Sequence, residues 1–179
     1  MTWRRSIRAA ILGLVVIGLA GIWARTPRPL DARMEPRRLL TPWKTDLDEL
    51  ERALATGDHA RAMRAWSDAE TAALASRRWE PLLEVGDAAL RVGDGTGSPA
   101  RARLSARHAY RAALFRARAQ RSVDGVLRAA DAFARLGDRD VTEGALHAAR
   151  KLAAGTPDAD LRSRVELDAA RIAARVGAE

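Results

Sequence analysis

The chain has 179 residues, of which 47% are apolar and 30% are charged, so most of it is too polar for a protein that crosses the membrane many times. It contains no cysteine, which excludes disulfide bonds, thiolate metal sites and a cysteine nucleophile. Three histidines, five Trp, one Tyr and two Phe argue against a haem pocket or a surface that stacks bases.

The formal charge of +8 is concentrated near the N terminus. Residues 1–44 hold nine basic and two acidic residues, whereas residues 45–179 hold 22 basic and 21 acidic residues and are almost neutral. A nucleic-acid-binding domain would be expected to carry its own basic surface. The distribution therefore argues against nucleic acid as the partner, and residues 1–8 form a short basic tail.

Residues 9–24 form an uncharged apolar stretch after this tail. Sixteen helical residues span about 24 Å, slightly less than the hydrocarbon core of about 30 Å, and flanking arginine stems can bridge the difference. We expect a single transmembrane anchor formed by Ile11, Leu12, Leu14, Val15, Val16, Ile17, Leu19, Ile22 and Trp23. A cleaved signal peptide and a buried helix of a soluble domain are the alternatives.

Residues 25–44 contain four prolines, which prevent a continuous helix, and we interpret them as a basic linker. Five arginines follow the apolar stretch within 15 residues, so the positive-inside rule read literally places the next domain in the cytoplasm. A short arginine-rich tail is hard to translocate, however. We therefore favour a single-pass signal anchor in the inner (cytoplasmic) membrane of a bacterium, with the domain in the periplasm.

From residue 45 onward, alanine, leucine, arginine and glutamate dominate, and no period-two run of β-branched residues indicates a strand. Thr45, Ser98 before Pro99, and Thr156 before Pro157 indicate helix starts. Glycines at positions 57, 93, 137 and 155 indicate helix ends. We expect an all-α domain of about seven helices, at 45–56, 58–75, 77–92, 98–119, 121–136, 139–154 and 158–176.

This helical part contains a weak internal repeat, because a Gly-Asp turn recurs at residues 57, 93 and 137, at spacings of 36 and 44 residues. The stretch after the first turn resembles the second helix of a tetratricopeptide repeat, with Ala62, Trp66 and Ala69 at its small, large and small packing positions. Residues 85–89 and 129–133 resemble the first helices of such repeats.

The tetratricopeptide resemblance covers residues 45–179 as three degenerate repeats. It implies a right-handed solenoid of antiparallel helix pairs and a curved surface that binds proteins. A plain helical bundle is the alternative.

No pattern in the chain indicates catalysis. His59, His108 and His147 do not pair at metal-ligand spacing, and there is no phosphate loop, nucleophile elbow or dinucleotide fingerprint. Carboxylates alternate with arginines, as is typical of solvated helix faces. We expect no enzyme activity, no cofactor, no metal and no small-molecule substrate.

One helix is unusual in charge, since residues 98–121 hold seven arginines and no acidic residue. Four of them fall on one face and form the arginine ladder, which consists of Arg103, Arg107, Arg111 and Arg118. On one interpretation, acids such as Glu84, Asp87, Asp124 and Asp131 neutralise the ladder within the stack. On the other, the ladder docks an acidic protein segment or anionic lipid headgroups, with Tyr110 and Phe115 as apolar anchors.

The sequence therefore predicts a membrane-anchored scaffold for protein–protein interactions. Its role would be the assembly, maturation or tethering of a membrane-associated or periplasmic complex. The alternative is a non-catalytic structural subunit of a larger membrane enzyme or transporter.

Overall fold

The computed structural model describes residues 42–177, which form seven α-helices joined by short turns. The helices are α1 (Pro42–Ala55), α2 (His59–Ala75), α3 (Glu80–Thr96), α4 (Pro99–Ala119), α5 (Val123–Arg135), α6 (Arg139–Ala154) and α7 (Ala159–Gly177). No strand occurs within residues 42–177, so the prediction of an all-α domain of about seven helices is confirmed for this range.

The predicted N-terminal segments lie outside the described residues. They are the basic tail at 1–8, the membrane anchor at 9–24 and all but the last three residues of the linker at 25–44. Among the seven helices of residues 42–177, none combines the length and the apolar character that a bilayer crossing needs.

Most helix boundaries lie within two residues of the predicted ones, and α3 begins three residues later than predicted, at Glu80. Two other differences have local reasons. α1 begins at Pro42, three residues earlier than expected, because proline suits the first turn of a helix and Trp43 packs in the core. Thr45 therefore lies inside α1 and does not cap it. α3 continues for almost one turn past Gly93 and ends at Gly97, which takes the left-handed φ of +66°.

Gly93 lies inside α3, where the helix is in close contact with α4. A Cβ atom placed on Gly93 would lie 2.1 Å from the Cβ of Ala102, so the two helices approach too closely there for a side chain. Before α7, the Thr156 hydroxyl donates to the Ala153 carbonyl of the preceding helix. The carboxylate that accepts a hydrogen bond from the first turn of α7 is Asp158, and the donor is the backbone N–H of Leu161. The prediction that Thr156 caps this helix is therefore wrong.

The helices form consecutive pairs, α1–α2, α3–α4 and α5–α6, followed by α7. The odd-numbered helices contact one another in series, and each even-numbered helix packs against the odd-numbered helices before and after it. Because short turns join them, neighbouring helices run in opposite directions. This arrangement is compatible with a helical-repeat fold.

Small and large side chains alternate where α2 meets its neighbours. Ala62 and Ala69 are completely buried, and Trp66 between them donates its indole N–H to the Val85 carbonyl at 3.1 Å. The small, large and small packing positions predicted for α2 are therefore confirmed.

Two aromatic rings fill the centre of the stack. Tyr110 of α4 and Phe133 of α5 have no exposed surface, and their ring centroids lie 5.9 Å apart at an interplanar angle of 77°. A Cβ atom on Gly86 of α3 would lie 2.3 Å from Cε1 of Tyr110, so the ring occupies the space that glycine leaves. The Tyr110 hydroxyl donates to Asp87 at 2.6 Å, and burial raises the pKa of Tyr110. These contacts join α3, α4 and α5.

Candidate functional site

The arginine ladder on α4 divides into two parts. Arg103 donates to the carbonyl of Leu136 at 2.8 Å, and Arg107 makes two hydrogen bonds to the carboxylate of Asp138, at 2.6 and 2.7 Å. Both arginines reach the turn between α5 and α6. Their guanidinium groups therefore hold one helix pair against the next.

Arg111 and Arg118 lie on the exposed side of α4, and neither has an acidic partner at ion-pair distance among residues 42–177. Phe115 lies on the same side, with 76% of its surface exposed. Tyr110, in contrast, is completely buried. The expectation that Tyr110 anchors a partner at the surface is wrong, because its ring fills the gap above Gly86.

The expectation that Glu84, Asp87, Asp124 and Asp131 neutralise the ladder is also wrong. These acids belong to odd-numbered helices and line a groove of about 350 Å³ that is formed by α3, α5 and α7. The acid that pairs with the ladder is Asp138, in the turn between α5 and α6, and its partner is Arg107.

This acidic groove has an apolar floor and charged walls. Leu83, Leu127 and Ile172 form the floor and are at most 9% exposed. Six carboxylates and three guanidinium groups form the walls, which leaves a formal excess of three negative charges. The carboxylates belong to Glu80, Glu84, Asp87, Asp124, Asp131 and Asp168, and the guanidinium groups to Arg128, Arg135 and Arg171.

Each guanidinium group of the acidic groove is already paired with a carboxylate of the groove. Arg135 lies 3.1 Å from Asp87 and 3.9 Å from Asp131. The other pairs are Arg128–Asp124 at 3.4 Å and Arg171–Asp168 at 2.9 Å. Such exposed pairs contribute little to stability. Two arginines that do not line the groove bind further carboxylates of it, Arg78 with Glu80 at 2.7 Å and Arg175 with Asp131 at 2.5 Å. When these two guanidinium groups are counted, the formal excess falls to one negative charge.

Glu84 and Glu80 lie one turn apart on the wall formed by α3. Glu84 has no ion pair among the described residues and accepts a hydrogen bond from the Trp43 indole at 2.9 Å. Glu80 pairs with Arg78 at 2.7 Å, and the hydrogen bond from Arg78 lowers the pKa of Glu80. Glu80 therefore keeps its charge to a lower pH than an unpaired glutamate does.

Chemically, the acidic groove can bind cations. Carboxylate oxygens accept hydrogen bonds from ammonium and guanidinium groups, and the floor can pack against an apolar side chain. Within residues 42–177, no three His, Asp or Glu side chains are grouped so that they could hold a metal ion. The absence of enzyme activity and of a cofactor stays a prediction.

The carboxylate of Glu70 on α2 lies near α4, and its ionisation affects stability. Burial raises the pKa of Glu70, and the nearby imidazole of His108 partly opposes this shift. A raised pKa means that the folded state holds the proton more tightly than the unfolded state, so ionised Glu70 costs stability at pH 7. That cost disappears as the pH falls through the raised pKa.

We therefore expect Glu70→Gln to raise the Tm by about 1 °C at pH 7 and to leave it unchanged near pH 3. The effect is small because solvent screens a half-exposed carboxylate. Thermal melts followed by circular dichroism check it. An equal rise at both pH values would show that packing, not charge, is responsible.

The sequence analysis missed the acidic groove, although two signals were present. Residues 45–97 and 122–179 together hold 21 acids and 15 bases, an excess of six acids. In addition, Glu80, Glu84 and Asp87 follow the spacing of one helix face. What the sequence did not show is that α5 and α7 bring further acids to the same side.

Comparison with known proteins adds no relative from which the fold or the site could be transferred. No family model matches the chain, and neither a curated protein nor a solved structure matches it.

Proposed function

We propose that this chain is a membrane-anchored, tetratricopeptide-like scaffold that binds a segment of a partner protein in the acidic groove. In this proposal, residues 9–24 anchor the chain in the inner membrane and the helical domain lies in the periplasm. The chain then acts in the assembly, maturation or tethering of a membrane-associated or periplasmic complex. The fold of the domain is a right-handed solenoid of helix pairs.

The observation that carries the proposal is the apolar floor of the acidic groove beneath an excess of carboxylates. Stacked helix pairs make a continuous surface on which extended or helical peptides bind. The odd-numbered helices, which contact one another in series, supply such a surface here. Leu127 lies on α5 between the contributions of α3 and α7, so a bound segment would cross three helices.

The charge of the groove decides which partner it favours. With Arg78 and Arg175 counted, the groove keeps a formal excess of one carboxylate, and Glu84 has no ion pair among the described residues, which favours lysine or arginine over an acidic segment. We therefore propose a basic segment with at least one apolar side chain as the occupant of the groove. The acidic segment predicted from the sequence was assigned to the arginine ladder, which is a different surface.

Photo-crosslinking in membranes of the native organism tests this proposal. In the full-length chain, p-benzoylphenylalanine replaces either Arg128, on the groove wall, or Lys151, an exposed residue of α6 that does not line the groove. We expect adducts with a partner protein from position 128 and not from position 151. We also expect Asp124→Lys combined with Asp168→Lys to reduce these adducts several-fold, since both carboxylates line the groove.

A matched double variant controls for net charge. Asp68→Lys combined with Glu143→Lys changes the charge by the same amount at exposed positions outside the groove, and it should leave the adducts unchanged. Equal adducts from both labelled positions, or equal losses in the two double variants, would contradict the proposal. A chain that is unstable alone and co-elutes stoichiometrically with a large membrane complex would favour the structural-subunit alternative.

A further inference from the structure

We propose that the outer stripe of α4 rests on an anionic membrane surface. The outer stripe consists of residues spaced by three and four positions, which places them on one line along the helix. All of them are exposed: Arg101, Leu104, His108, Arg111, Phe115 and Arg118. The inference rests on the proposed membrane attachment of the chain but not on the acidic groove.

The composition of the outer stripe is that of a helix at a lipid–water interface. Leu104 is 56% exposed and Phe115 is 76% exposed, so two large apolar side chains face solvent on a helix whose opposite face is packed. Arginines lie beside both of them. Interfacial helices combine apolar side chains that enter the acyl boundary with basic side chains that contact anionic headgroups.

The charges that surround the outer stripe leave it positive. Glu70 of α2 lies near His108, and Asp138 is held by Arg107. Asp140 and Arg139 line a cleft beside Leu104 and Arg111. Among residues 42–177, no carboxylate lies at ion-pair distance from the three arginines of the stripe.

A membrane fits this face better than a second copy of the chain or an acidic protein. A second copy would place arginine opposite arginine, which is unfavourable. Phe115 and Leu104 lie about 16 Å apart along the helix. An acidic protein partner would therefore need two separate pockets to bury both side chains. A lipid surface accommodates both residues at once, because it has no fixed shape.

The sequence gives a separate reason for choosing the membrane. The apolar stretch at 9–24 is the predicted anchor, and only residues 25–41 separate it from α1. Seventeen residues span at most about 60 Å, so an anchored chain keeps α4 within reach of the bilayer surface.

The absence of cysteine from the chain permits a direct test on the full-length protein. A single cysteine at position 115 or, as a control, at position 167 is labelled with the fluorophore NBD. Leu167 of α7 is 72% exposed and lies outside the outer stripe. The chain is reconstituted in lipid nanodiscs with or without phosphatidylglycerol, and the fraction of label protected from reduction by dithionite is measured.

We expect protection at position 115 only in nanodiscs that contain phosphatidylglycerol, and no protection at position 167 in either lipid. An arginine near an anionic surface contributes about fivefold to membrane affinity, so Arg111→Glu with Arg118→Glu should lower the ratio of protected to unprotected label about 25-fold or more. Arg162→Glu with Arg164→Glu, on α7, makes the same charge change away from the stripe and should have no effect.

The conservative variant Arg111→Lys with Arg118→Lys separates lipid from protein as the occupant. A headgroup layer accepts lysine, so protection should remain, whereas a bidentate contact with an acidic protein would be lost. Three results would overturn the proposal. The first is equal protection of the label at position 115 in both lipids. The second is loss of that protection in the double lysine variant. The third is protection of the label by soluble polyglutamate but not by phosphatidylglycerol. Groove adducts at position 128 should be unaffected by the α4 variants, so the two proposals can fail separately.

Discussion

Replacing Phe133 with alanine will lower the free energy of unfolding by about 3–5 kcal/mol. Phe133 has no exposed surface and makes a T-shaped contact with Tyr110, so the substitution removes apolar contacts and leaves a cavity between α4 and α5. Domains of this size are typically stable by about 5–15 kcal/mol, which makes this a large fraction of the total. Urea unfolding followed by circular dichroism at 222 nm measures the loss.

The second phenylalanine of the chain provides a matched control. Phe115 lies on the outer stripe with 76% of its surface exposed, so Phe115→Ala should change the free energy of unfolding by less than about 0.5 kcal/mol. If both substitutions cost the same, Phe133 does not occupy the central packing position described above.

Gly86→Ala is expected to destabilise the domain by about 2 kcal/mol, although alanine is the better helix former by about 1 kcal/mol. The added Cβ would lie 2.3 Å from the ring of Tyr110. That ring cannot move aside easily, because its hydroxyl is bound to Asp87 and the ring makes a T-shaped contact with Phe133. The midpoint of thermal or urea unfolding gives the change.

Two comparisons show whether the contact with Tyr110 is the cause. Gly144 of α6 has nothing within 4 Å of its added Cβ, so Gly144→Ala should stabilise the domain by up to about 1 kcal/mol. In a Tyr110→Leu background, Gly86→Ala should lose most of its cost, because the ring edge is gone. The same cost in both backgrounds would rule out the clash as its source.

The number and order of the helices could be predicted because their signals are local. Gly57 and Gly137 take the left-handed φ values of +71° and +73° that end helices, and the apolar positions follow the helical period. The end of α3 could not be predicted in the same way. The sequence analysis placed this end at Gly93, but Gly93 contacts Ala102 on α4 inside the helix, and the left-handed residue that follows the helix is Gly97.

The arginine ladder shows why side-chain partners were harder to predict than helices. Its position on one face of α4 follows from spacing alone. Its partners do not, because Arg103 and Arg107 reach residues 33 and 31 positions further along the chain. The burial of Tyr110 likewise depends on Gly86 of another helix. Contacts of this kind depend on how the helix pairs stack on one another, and that stacking cannot be read from a single sequence.

The serial contact of the odd-numbered helices has a consequence for how this architecture can change in evolution. Substantial contacts join only helices that are one or two positions apart in the chain order. Insertion or deletion of one whole helix pair would therefore lengthen or shorten the domain by the distance between packed helices, about 8–10 Å, without changing distant parts of it. Under the proposed function, the number of helix pairs would set the length of the partner segment that the domain binds.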